Sequence, residues 1–384
     1  MFLEDKENLM VKVCHMTSVH KRYDTRIFQK MCRSLAKNGY DVTLLVMDDL
    51  PEETKDGVRI ISVPFKPKNR LDRIMNSGGK LLKKAVELDC DLYHFHDPEL
   101  LPIGLRLKKL GKKVIYDSHE DYSRQIIGKS WIPGKITRLF LSRCFHFYET
   151  CICRKLDAVI FPCTVNGQNI FANRSRHCAL IGNMPILQMI PNQSACVKKE
   201  KQICLTGSLA EARGVTQLVK AMEFCDGILV MAGAIPEKYL AYLQTLPGWE
   251  KVDFRGRVSF EEAQKIIGQS CVGTSVLRNT LQYNCIDTLA TKIYEYMNFG
   301  IPVVMNDAPY NRSQNNRLNF GICVDPDSPE KIAAALNHLL AHPDTAEAMG
   351  RNGRHAVERE FNWSVEEKKL LELYAALDIK KQDK

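Results

Sequence analysis

The chain has 384 residues, of which 45% are hydrophobic and 26% are charged, and its formal net charge is +9. This length exceeds one ordinary core and predicts two domains, while the lack of any run of about eighteen apolar residues argues against a membrane-spanning helix. The positive charge favours an anionic partner. Nucleic acid is not expected, because the aromatic residues do not interleave with the basic ones as a base-stacking surface requires.

The N-terminus and the cysteines indicate the compartment. The first ten residues, MFLEDKENLM, are acidic and polar, unlike a signal peptide, so a cytoplasmic location is expected. The 14 cysteines include no Cys-x-x-Cys pair and lie mostly in apolar segments. They are interpreted as small buried hydrophobes in a reducing compartment, with a disulfide framework or a zinc site as the weaker alternative.

Apolar runs alternate with amphipathic stretches in the first half, as in parallel sheets built from strand–helix–strand units. A strand is predicted at Val11–Ser18, and a helix around Arg26–Lys37 follows it and ends at Asn38-Gly39. The next strand is predicted at Asp41–Val46. Four more strands are predicted in VRIISV, DLYHFH, KKVIYDS and DAVIFP.

A second series of strands is predicted in ICLTG, GILVMAG, KVDFRG, CVGTSV and IPVVMN. Two helix starts have capping-box spacing, Ser259 with Glu262 and Ser364 with Glu367. The stretch 181–202 holds two prolines and a lysine cluster, and we place the linker there. The predicted domains are residues 1–185 and 200–360, and residues 361–384 are predicted to form a C-terminal helix that could pack back on the first domain.

The stretch TKIYEYMNFG, which begins at Thr291, raises a question of helix stability. Lys292 lies in a first turn, where the helix dipole repels a cation unless an anion binds there. Glu295, one turn on, could accept hydrogen bonds from a ribose diol. A surface Lys–Glu pair, which would contribute a few tenths of a kcal/mol, is an equal alternative on these residues alone.

The loop of LTGSLAEARGVTQLV supplies the second half of a phosphate site. Gly207 ends a strand and allows backbone to approach a ligand, and Arg213 could bind a diphosphate with its planar guanidinium. An ordinary strand–helix turn with a solvated arginine is the alternative. Together with Lys292 in the same domain, Arg213 favours phosphate binding.

Five stretches resemble family-4 glycosyltransferases of the bacterial surface-polysaccharide type: GSLAEARGV, TKIYEYMNFGIPVV, MGRNGRHAVEREFNWSVEEKKLLELYAAL, HDPELLP and YDSHED. The resemblance runs from about Val11 to Leu377. It implies a GT-B fold, with two Rossmann-like, doubly wound parallel-sheet domains facing across a cleft. The C-terminal domain would bind a nucleotide-diphosphate sugar and the N-terminal domain the acceptor. Catalysis in this family is retaining and requires no metal or other cofactor.

The resemblance also implies roles for individual residues. Arg213 and Lys292 would hold the diphosphate and Glu295 the ribose, and the base would meet backbone near Gly256, Arg257 and Val258. Retention without an evident nucleophile favours a front-face route, in which the leaving diphosphate takes the acceptor proton while Arg213 and Lys292 stabilise its charge.

The chain departs from the family at Asp287, which stands where relatives often have the first of two glutamates with seven residues between them. Asp287 could contact the donor sugar, and capping a helix is an equal alternative. His119 resembles the family histidine near the donor sugar, and Glu120 is a weaker candidate.

Histidines and charged residues follow the predicted strands of the first half. His94 and His96 alternate onto one strand face before Asp97, which could indicate a metal, although core histidines and a loop cap are at least as compatible with the pattern. In the loop 17–28, relatives often carry glycines that face acceptor and phosphate. This chain instead carries charged or ionisable residues there, namely His20, Arg22, Asp24 and Arg26.

The segment 123–155 interleaves basic and aromatic residues around a single glutamate, Glu149. It could rest on an anionic membrane surface at the inner face of the membrane, and a core helix with a basic outer face is the slightly favoured alternative.

The sequence therefore predicts a glycosyltransferase that uses a nucleotide sugar and a glycan or lipid-linked acceptor in polysaccharide biosynthesis. Alternatives are a nucleotide-sugar epimerase of the same architecture, which would need no second substrate, and a non-catalytic partner subunit, which the shifted acidic position at Asp287 leaves open.

Overall fold

The computed structural model describes residues 10–129, 131–187, 201–278 and 285–378. Its internal contacts divide the chain into two compact units. Unit 1 consists of Met1–Asn183 with Ser364–Lys384, and unit 2 of Met184–Trp363. The predicted linker spans this boundary, and its residues 188–200 lie outside the described part of the chain. No helix among the described residues is both long enough and apolar enough to cross a membrane.

Unit 1 is built on an eight-stranded sheet with strand order β3-β4-β2-β1-β5-β6-β7-β8. All neighbours pair in parallel except β3, which is antiparallel to β4. The central strands are continuous apolar runs buried on both faces, as parallel strands require. The strands are β1 Lys12–Met16, β2 Asp41–Val46, β3 Glu53–Lys55, β4 Val58–Ser62, β5 Leu92–Phe95, β6 Lys113–Asp117, β7 Ala158–Phe161 and β8 Cys178–Leu180.

The helices of unit 1 follow its strands. A π-helical segment, Thr25–Cys32, continues into the first α-helix, and Asp24 caps it by accepting the backbone N–H groups of Arg26 at 2.8 Å and Ile27 at 3.0 Å. Gly39, with φ of +85°, lets the chain turn away after Asn38. The α-helices are α1 Arg33–Lys37, α2 Arg70–Leu88, α3 Leu101–Lys109, α4 Tyr122–Gly128 and α5 Lys135–Cys153.

Unit 2 contains a six-stranded, all-parallel sheet with strand order β11-β10-β9-β12-β13-β14. Its strands are β9 Gln202–Thr206, β10 Ile228–Ala232, β11 Val252–Phe254, β12 Val272–Ser275, β13 Val303–Asn306 and β14 Gly321–Val324. Its helices are α6 Val215–Ala221, α7 Glu237–Gln244, α8 Phe260–Gly268, α9 Thr291–Asn298, α10 Pro309–Leu318, α11 Pro329–Ala341 and α12 Pro343–Arg359. The last helix, α13 Trp363–Ala376, has its contacts in unit 1 from Ser364 onward.

The two parallel-sheet α/β domains are those expected from the sequence, and all eleven predicted strands are present. Three short strands, β3, β8 and β14, were not predicted. The capping box at Ser259 is confirmed, because its hydroxyl accepts the N–H of Glu262 at 3.1 Å. The one at Ser364 is wrong, because α13 begins one residue earlier. Every cysteine within the described ranges is a free thiol.

Strand order places one switch point in each sheet. In unit 1 the chain connections run in opposite directions on either side of β1 and β5, and in unit 2 on either side of β9 and β12. Ligands of open parallel sheets bind outside the carboxyl ends of the strands at such points. The loops that follow these four strands are therefore where each unit is expected to hold its ligand.

Candidate functional site

Gly207 and Lys292 lie against each other at the switch point of unit 2. Gly207 follows β9 with φ of +107°, and a Cβ atom there would lie 2.6 Å from Cε of Lys292. Lys292 is the second residue of α9, whose N-cap, Ala290, makes no side-chain capping bond. The Lys292 ammonium donates to Oε2 of Glu295 at 2.9 Å, and both side chains keep partial exposure. A cation and an uncapped helix N-terminus together form a site suited to a phosphate.

Glycines end three neighbouring strands beside this lysine. The N–H of Gly207 donates to Ala232 at 2.7 Å, and that of Gly233 donates to Gly256 at 2.7 Å. A Cβ atom at Gly233 would lie 1.8 Å from the carbonyl oxygen of Gly207, so the two loops pack backbone against backbone. Gly233 was missed from the sequence, although it ends GILVMAG directly after a strand.

The predicted base-binding stretch follows β11. Gly256 has φ of +63°, and no other part of the described chain lies within 4 Å of the position its Cβ would take. Arg257 is exposed and Val258 half-buried, and α8 begins just after them. The structure thus leaves backbone accessible at the end of the strand next to β10.

Arg213 ends a short 3₁₀ turn, Glu211–Arg213, in the loop after β9. The turn is pressed onto the end of β12, because a Cβ atom at Gly214 would lie 1.9 Å from the carbonyl oxygen of Val276. The N–H of Arg278 also donates to Ala212 in this turn, at 3.2 Å. Arg213 is half-buried, and no carboxylate of the described residues lies within 4 Å of its guanidinium.

Asp287 lies in the loop before α9 and is half-buried. The helix begins at Thr291 with Ala290 as its N-cap, so the interpretation of Asp287 as a helix cap is wrong. Contact with a donor sugar stays a prediction. The preceding residues 279–284 lie outside the described part of the chain.

In unit 1, His119 follows β6 and is held by the last residue of that strand. Its Nε2 lies 3.3 Å from Oδ2 of the buried Asp117. Arg26 donates to both oxygens of the same carboxylate, through Nε and Nη2 at 2.8 Å each. Burial by itself would raise the pKa of Asp117, but the charge of Arg26, followed by His119, holds it well below its usual range.

Three further histidines are buried beside this carboxylate. Nδ1 of His96 lies 3.1 Å from Oδ2 of Asp117, and Nε2 of His96 lies 2.9 Å from Nδ1 of His15. The ring of His94 stacks on that of His96, with centroids 4.7 Å apart, and lies tilted by 36° against that of His15 at 4.3 Å. Burial lowers the pKa of His15 and of His94 well below the usual value and also lowers the pKa of His96. All three are therefore neutral at pH 7.

Two overlapping sets of ligand atoms could in principle hold a metal ion, with the atoms of each set within 4.8 Å of one another. The sets are His15 with His94 and His96, and His96 with Asp117 and His119. The guanidinium of Arg26 already neutralises the carboxylate of the second set. Electrostatics therefore favours hydrogen bonding over a cation at Asp117.

The charged residues of the loop 17–28 mostly hold protein structure. Arg22 is buried and pairs with Asp48 at 2.8 Å and Glu53 at 2.8 Å, while Asp24 caps the following helix. The loop is also tied to Asp97, whose Oδ2 accepts the hydroxyl of Thr17 at 2.7 Å and the N–H of Ser18 at 2.6 Å. His20 of this loop instead lies beside the candidate site residue His119, with the ring centroids 4.6 Å apart.

The comparisons with known families agree with this architecture. The family Glycosyltransferase Family 4 matches residues 25–173, and the family Glycosyl transferases group 1 matches residues 188–356. The D-rhamnosyltransferase WbpZ of Pseudomonas aeruginosa is 28% identical over 150 residues, which is 38% of this chain and 38% of that protein.

Solved structures are similar over nearly the whole chain. Sucrose-phosphate synthase of Thermosynechococcus elongatus has a TM-score of 0.75 at 18% identity, covering 96% of this chain and 99% of that one. HepE of Anabaena, in complex with UDP and glucose, has a TM-score of 0.70 at 13% identity. That match covers 95% of this chain and 100% of the HepE chain. WaaG, a glycosyltransferase involved in lipopolysaccharide biosynthesis, has a TM-score of 0.68 at 16% identity. That match covers 94% of this chain and 99% of the WaaG chain. At these identities the likeness establishes the fold, GT-B.

Proposed function

Since the chain belongs to the family-4 glycosyltransferases, we propose that it moves a sugar from a nucleotide-diphosphate sugar to a glycan or lipid-linked acceptor. The proposed reaction retains the configuration of the sugar and needs no metal. The observation that carries the donor assignment is the contact of Lys292 with Gly207 at an uncapped helix N-terminus. Complexes of HepE with UDP and with UDP-glucose support a donor of this class.

The donor would be bound by unit 2. Lys292 and Arg213 would bind the diphosphate, Lys292 as a point charge and Arg213 through its planar fork. Glu295, which orients the Lys292 ammonium, would accept from the ribose. The base would meet the loop of Gly256, Arg257 and Val258. Each of these positions lies on a loop or helix start that follows a parallel strand.

Catalysis would consist of stabilising the leaving group. As the bond to the sugar breaks, negative charge grows on the diphosphate, and Lys292 and Arg213 would stabilise that charge. The diphosphate oxygen would take the proton of the attacking acceptor hydroxyl on the same face of the sugar. His119 and Asp287 would contact the sugar and orient it.

Calorimetric titration with UDP, GDP and ADP tests the donor site. One nucleotide is expected to bind, and Lys292→Ala and Arg213→Ala should each weaken it by about 10- to 100-fold, since a charge-assisted hydrogen bond contributes about 1.5–3 kcal/mol. Lys265→Ala is the matched control, because Lys265 also pairs with a glutamate one turn away but on α8. If no nucleotide binds, or if Lys265→Ala loses as much affinity as the two variants, the proposed donor site is wrong and the non-catalytic subunit is favoured.

A lipid-linked acceptor would require the protein to work at a membrane surface, and we assign that contact to α5. One face of this helix carries Ile136, Phe140 and Phe147, which are 85%, 64% and 71% exposed, and Arg143 lies exposed among them. Apolar and basic side chains on one exposed helix face suit an anionic lipid surface. The only carboxylate of the helix, Glu149, is buried and paired with Arg174.

Flotation with vesicles tests this contact. The protein is expected to float with vesicles containing anionic phosphatidylglycerol and to float less with pure phosphatidylcholine. The double variant Phe140→Ser, Phe147→Ser should remain at the bottom of the gradient. The control Phe260→Ser removes a phenylalanine of similar exposure from α8 and should float like the original protein. Equal flotation of all three proteins would contradict the assignment to α5.

A further inference from the structure

Tyr374 is a buried tyrosine whose hydroxyl meets two histidines from other parts of unit 1. It lies on α13, and its oxygen is 2.8 Å from Nδ1 of His94 and 3.3 Å from Nε2 of His15. Its ring packs edge-on against Tyr40 at 5.5 Å. The last helix of the chain therefore reaches the carboxyl ends of the central strands of this sheet.

The contacts continue without a break to His119. From His15 they pass to His96 at 2.9 Å and from His96 to Asp117 at 3.1 Å, and Nε2 of His119 lies 3.3 Å from the same carboxylate oxygen. We call the connected groups the histidine chain, in the order His94, Tyr374, His15, His96 and Asp117. Every member is buried.

The direction of each hydrogen bond follows from elementary chemistry. Nδ1 of His96 lies 3.1 Å from Oδ2 of Asp117 and 3.3 Å from Nε2 of His119. The carboxylate is the nearer of the two and can only accept, so we place the proton of the neutral His96 on Nδ1, pointing at Asp117. Nε2 of His96 must then accept from Nδ1 of His15, and Nε2 of His15 must accept from the hydroxyl of Tyr374. The tyrosine oxygen accepts in turn from Nδ1 of His94.

The other end of the histidine chain, at His94, is consistent with this direction of the hydrogen bonds. His94 uses its single proton on Nδ1, which leaves Nε2 as a bare lone pair, and this buried atom has no hydrogen-bond partner among the residues that the structure describes. The buried, neutral state of the three imidazoles supports the same assignment. All four bonds therefore point one way, toward Asp117.

We propose that the hydroxyl of Tyr374 positions His119 through the histidine chain, by fixing the ring and the tautomer of each histidine that leads to Asp117. The inference rests on the proposed function only where it treats His119 as a group that acts on the sugar. Bonds in a chain polarise one another, so the donor at Tyr374 strengthens the donor that His96 offers to the carboxylate. A carboxylate held in this way presents a fixed acceptor to Nε2–H of His119.

Long-range ¹H–¹⁵N NMR of the histidine rings tests the chain directly. In the unaltered protein, His15, His94 and His96 should each appear at pH 7 as the neutral Nδ1–H tautomer. His119 should show a proton on Nε2. Single His→Gln variants assign the signals. An Nε2–H tautomer or a charged ring at any of the three positions would overturn the proposal, and this measurement needs no variant of Tyr374.

The variant Tyr374→Phe keeps the ring and removes only the donor. It should shift the ring signals of His15, His96 and His119, whereas Tyr40→Phe, which removes the neighbouring hydroxyl, should leave them in place. Transfer catalysed by Tyr374→Phe should lose about two- to tenfold in kcat at unchanged KM for the donor. Unaltered His119 signals in Tyr374→Phe would overturn the proposal whatever the activity.

The two hypotheses fail differently. If Tyr374→Phe moves the His119 signals but His119→Ala transfers sugar at the full rate, the histidine chain stands and the assigned role of His119 in transfer is wrong. If the His119 signals do not move, the proposed coupling through the histidine chain is wrong, whereas the proposal that unit 2 binds the donor is unaffected.

Discussion

A Cβ atom at Gly207 would lie 2.6 Å from Cε of Lys292 and 3.1 Å from its ammonium. A lysine in the first turn of a helix is unfavourable by itself, because the helix dipole there is positive. The missing side chain at Gly207 gives this lysine room beside the end of β9, and Glu295 orients it. The arrangement suits an anion site, because a bound phosphate would be attracted both to the Lys292 ammonium and to the positive end of the helix dipole.

Gly207→Ala should therefore reduce nucleotide affinity. The new methyl group would displace the Lys292 side chain, and we expect a loss of about tenfold or more, as for one lost charge-assisted hydrogen bond. The measurement is calorimetric titration with the nucleotide that binds the unaltered protein. Gly39→Ala is the control, because Gly39 also has a positive φ, +85°, but its Cβ position has no neighbour within 4 Å among the described residues. Both variants should lose about 1 kcal/mol of stability to backbone strain, and only the first should lose affinity.

The three buried histidines predict how stability depends on pH. Their pKa values are lowered in the folded state, mainly by burial, so below about pH 6.5 the unfolded chain binds protons that the folded chain does not. The free energy of unfolding should thus fall as pH falls from about 6.5 to 5. The slope is at most about 1.4 kcal/mol per pH unit for each histidine.

Three other groups with shifted pKa values also contribute as pH falls toward 5. Burial lowers the pKa of His146, which adds to the slope, whereas burial raises the pKa values of Glu99 and Glu149, which opposes it. Burial opposes charge on His20, but its hydrogen bond to Asp24 raises its pKa, so its stabilisation is present below about pH 6.5 and is lost as pH rises above it. The lowered pKa of Asp117 stabilises the folded state above about pH 4, and this contribution is lost only as pH falls below that value. Urea unfolding at several pH values measures the slope, and His94→Gln should reduce it. A stability that stays flat from pH 7 to pH 5.5 would contradict the neutral assignment.

The buried pair of Arg26 and Asp117 should dominate the stability of unit 1. Asp117→Asn would leave the guanidinium buried without its counter-charge, and we expect a loss of about 3–5 kcal/mol. Asp307→Asn is the matched control, because Arg312 binds Asp307 through two hydrogen bonds of 2.7 and 2.6 Å, but on the surface. The control should lose no more than about 1 kcal/mol. Thermal unfolding compares the two, and similar losses would argue against the buried pair as a special contribution.

Much of the fold was predictable because parallel strands buried on both faces are continuous apolar runs. β3 and β8 were missed because three residues are too few to show a pattern, and Glu53–Lys55 is polar throughout. In unit 2 the positions of the candidate site residues in the fold were predictable, since each follows a strand or begins a helix within one short motif. Lys292 and Gly207 could be assigned in this way, but their contact could not.

The histidine chain could not have been predicted, because its members come from β1, β5, β6 and α13 and no local pattern links them. The sequence drew attention to His94 and His96 but suggested a metal or a core role for them. Their actual partners, Tyr374 and His15, are brought together only by the sheet order and by the return of α13 to unit 1. Buried polar groups must find partners, but the sequence does not say which.

The two capping-box patterns give a last prediction, because the same spacing was right once and wrong once. Ser259 accepts the N–H of Glu262, so Ser259→Ala should cost about 1 kcal/mol and speed amide exchange of Glu262 roughly fivefold. Ser364 lies inside α13, after Trp363, where alanine is the better helix former, so Ser364→Ala should leave stability within about 0.5 kcal/mol. Hydrogen exchange of the first turn of each helix measures both. A loss at Ser364 as large as that at Ser259 would restore the second capping box and place the start of α13 at Val365, two residues later.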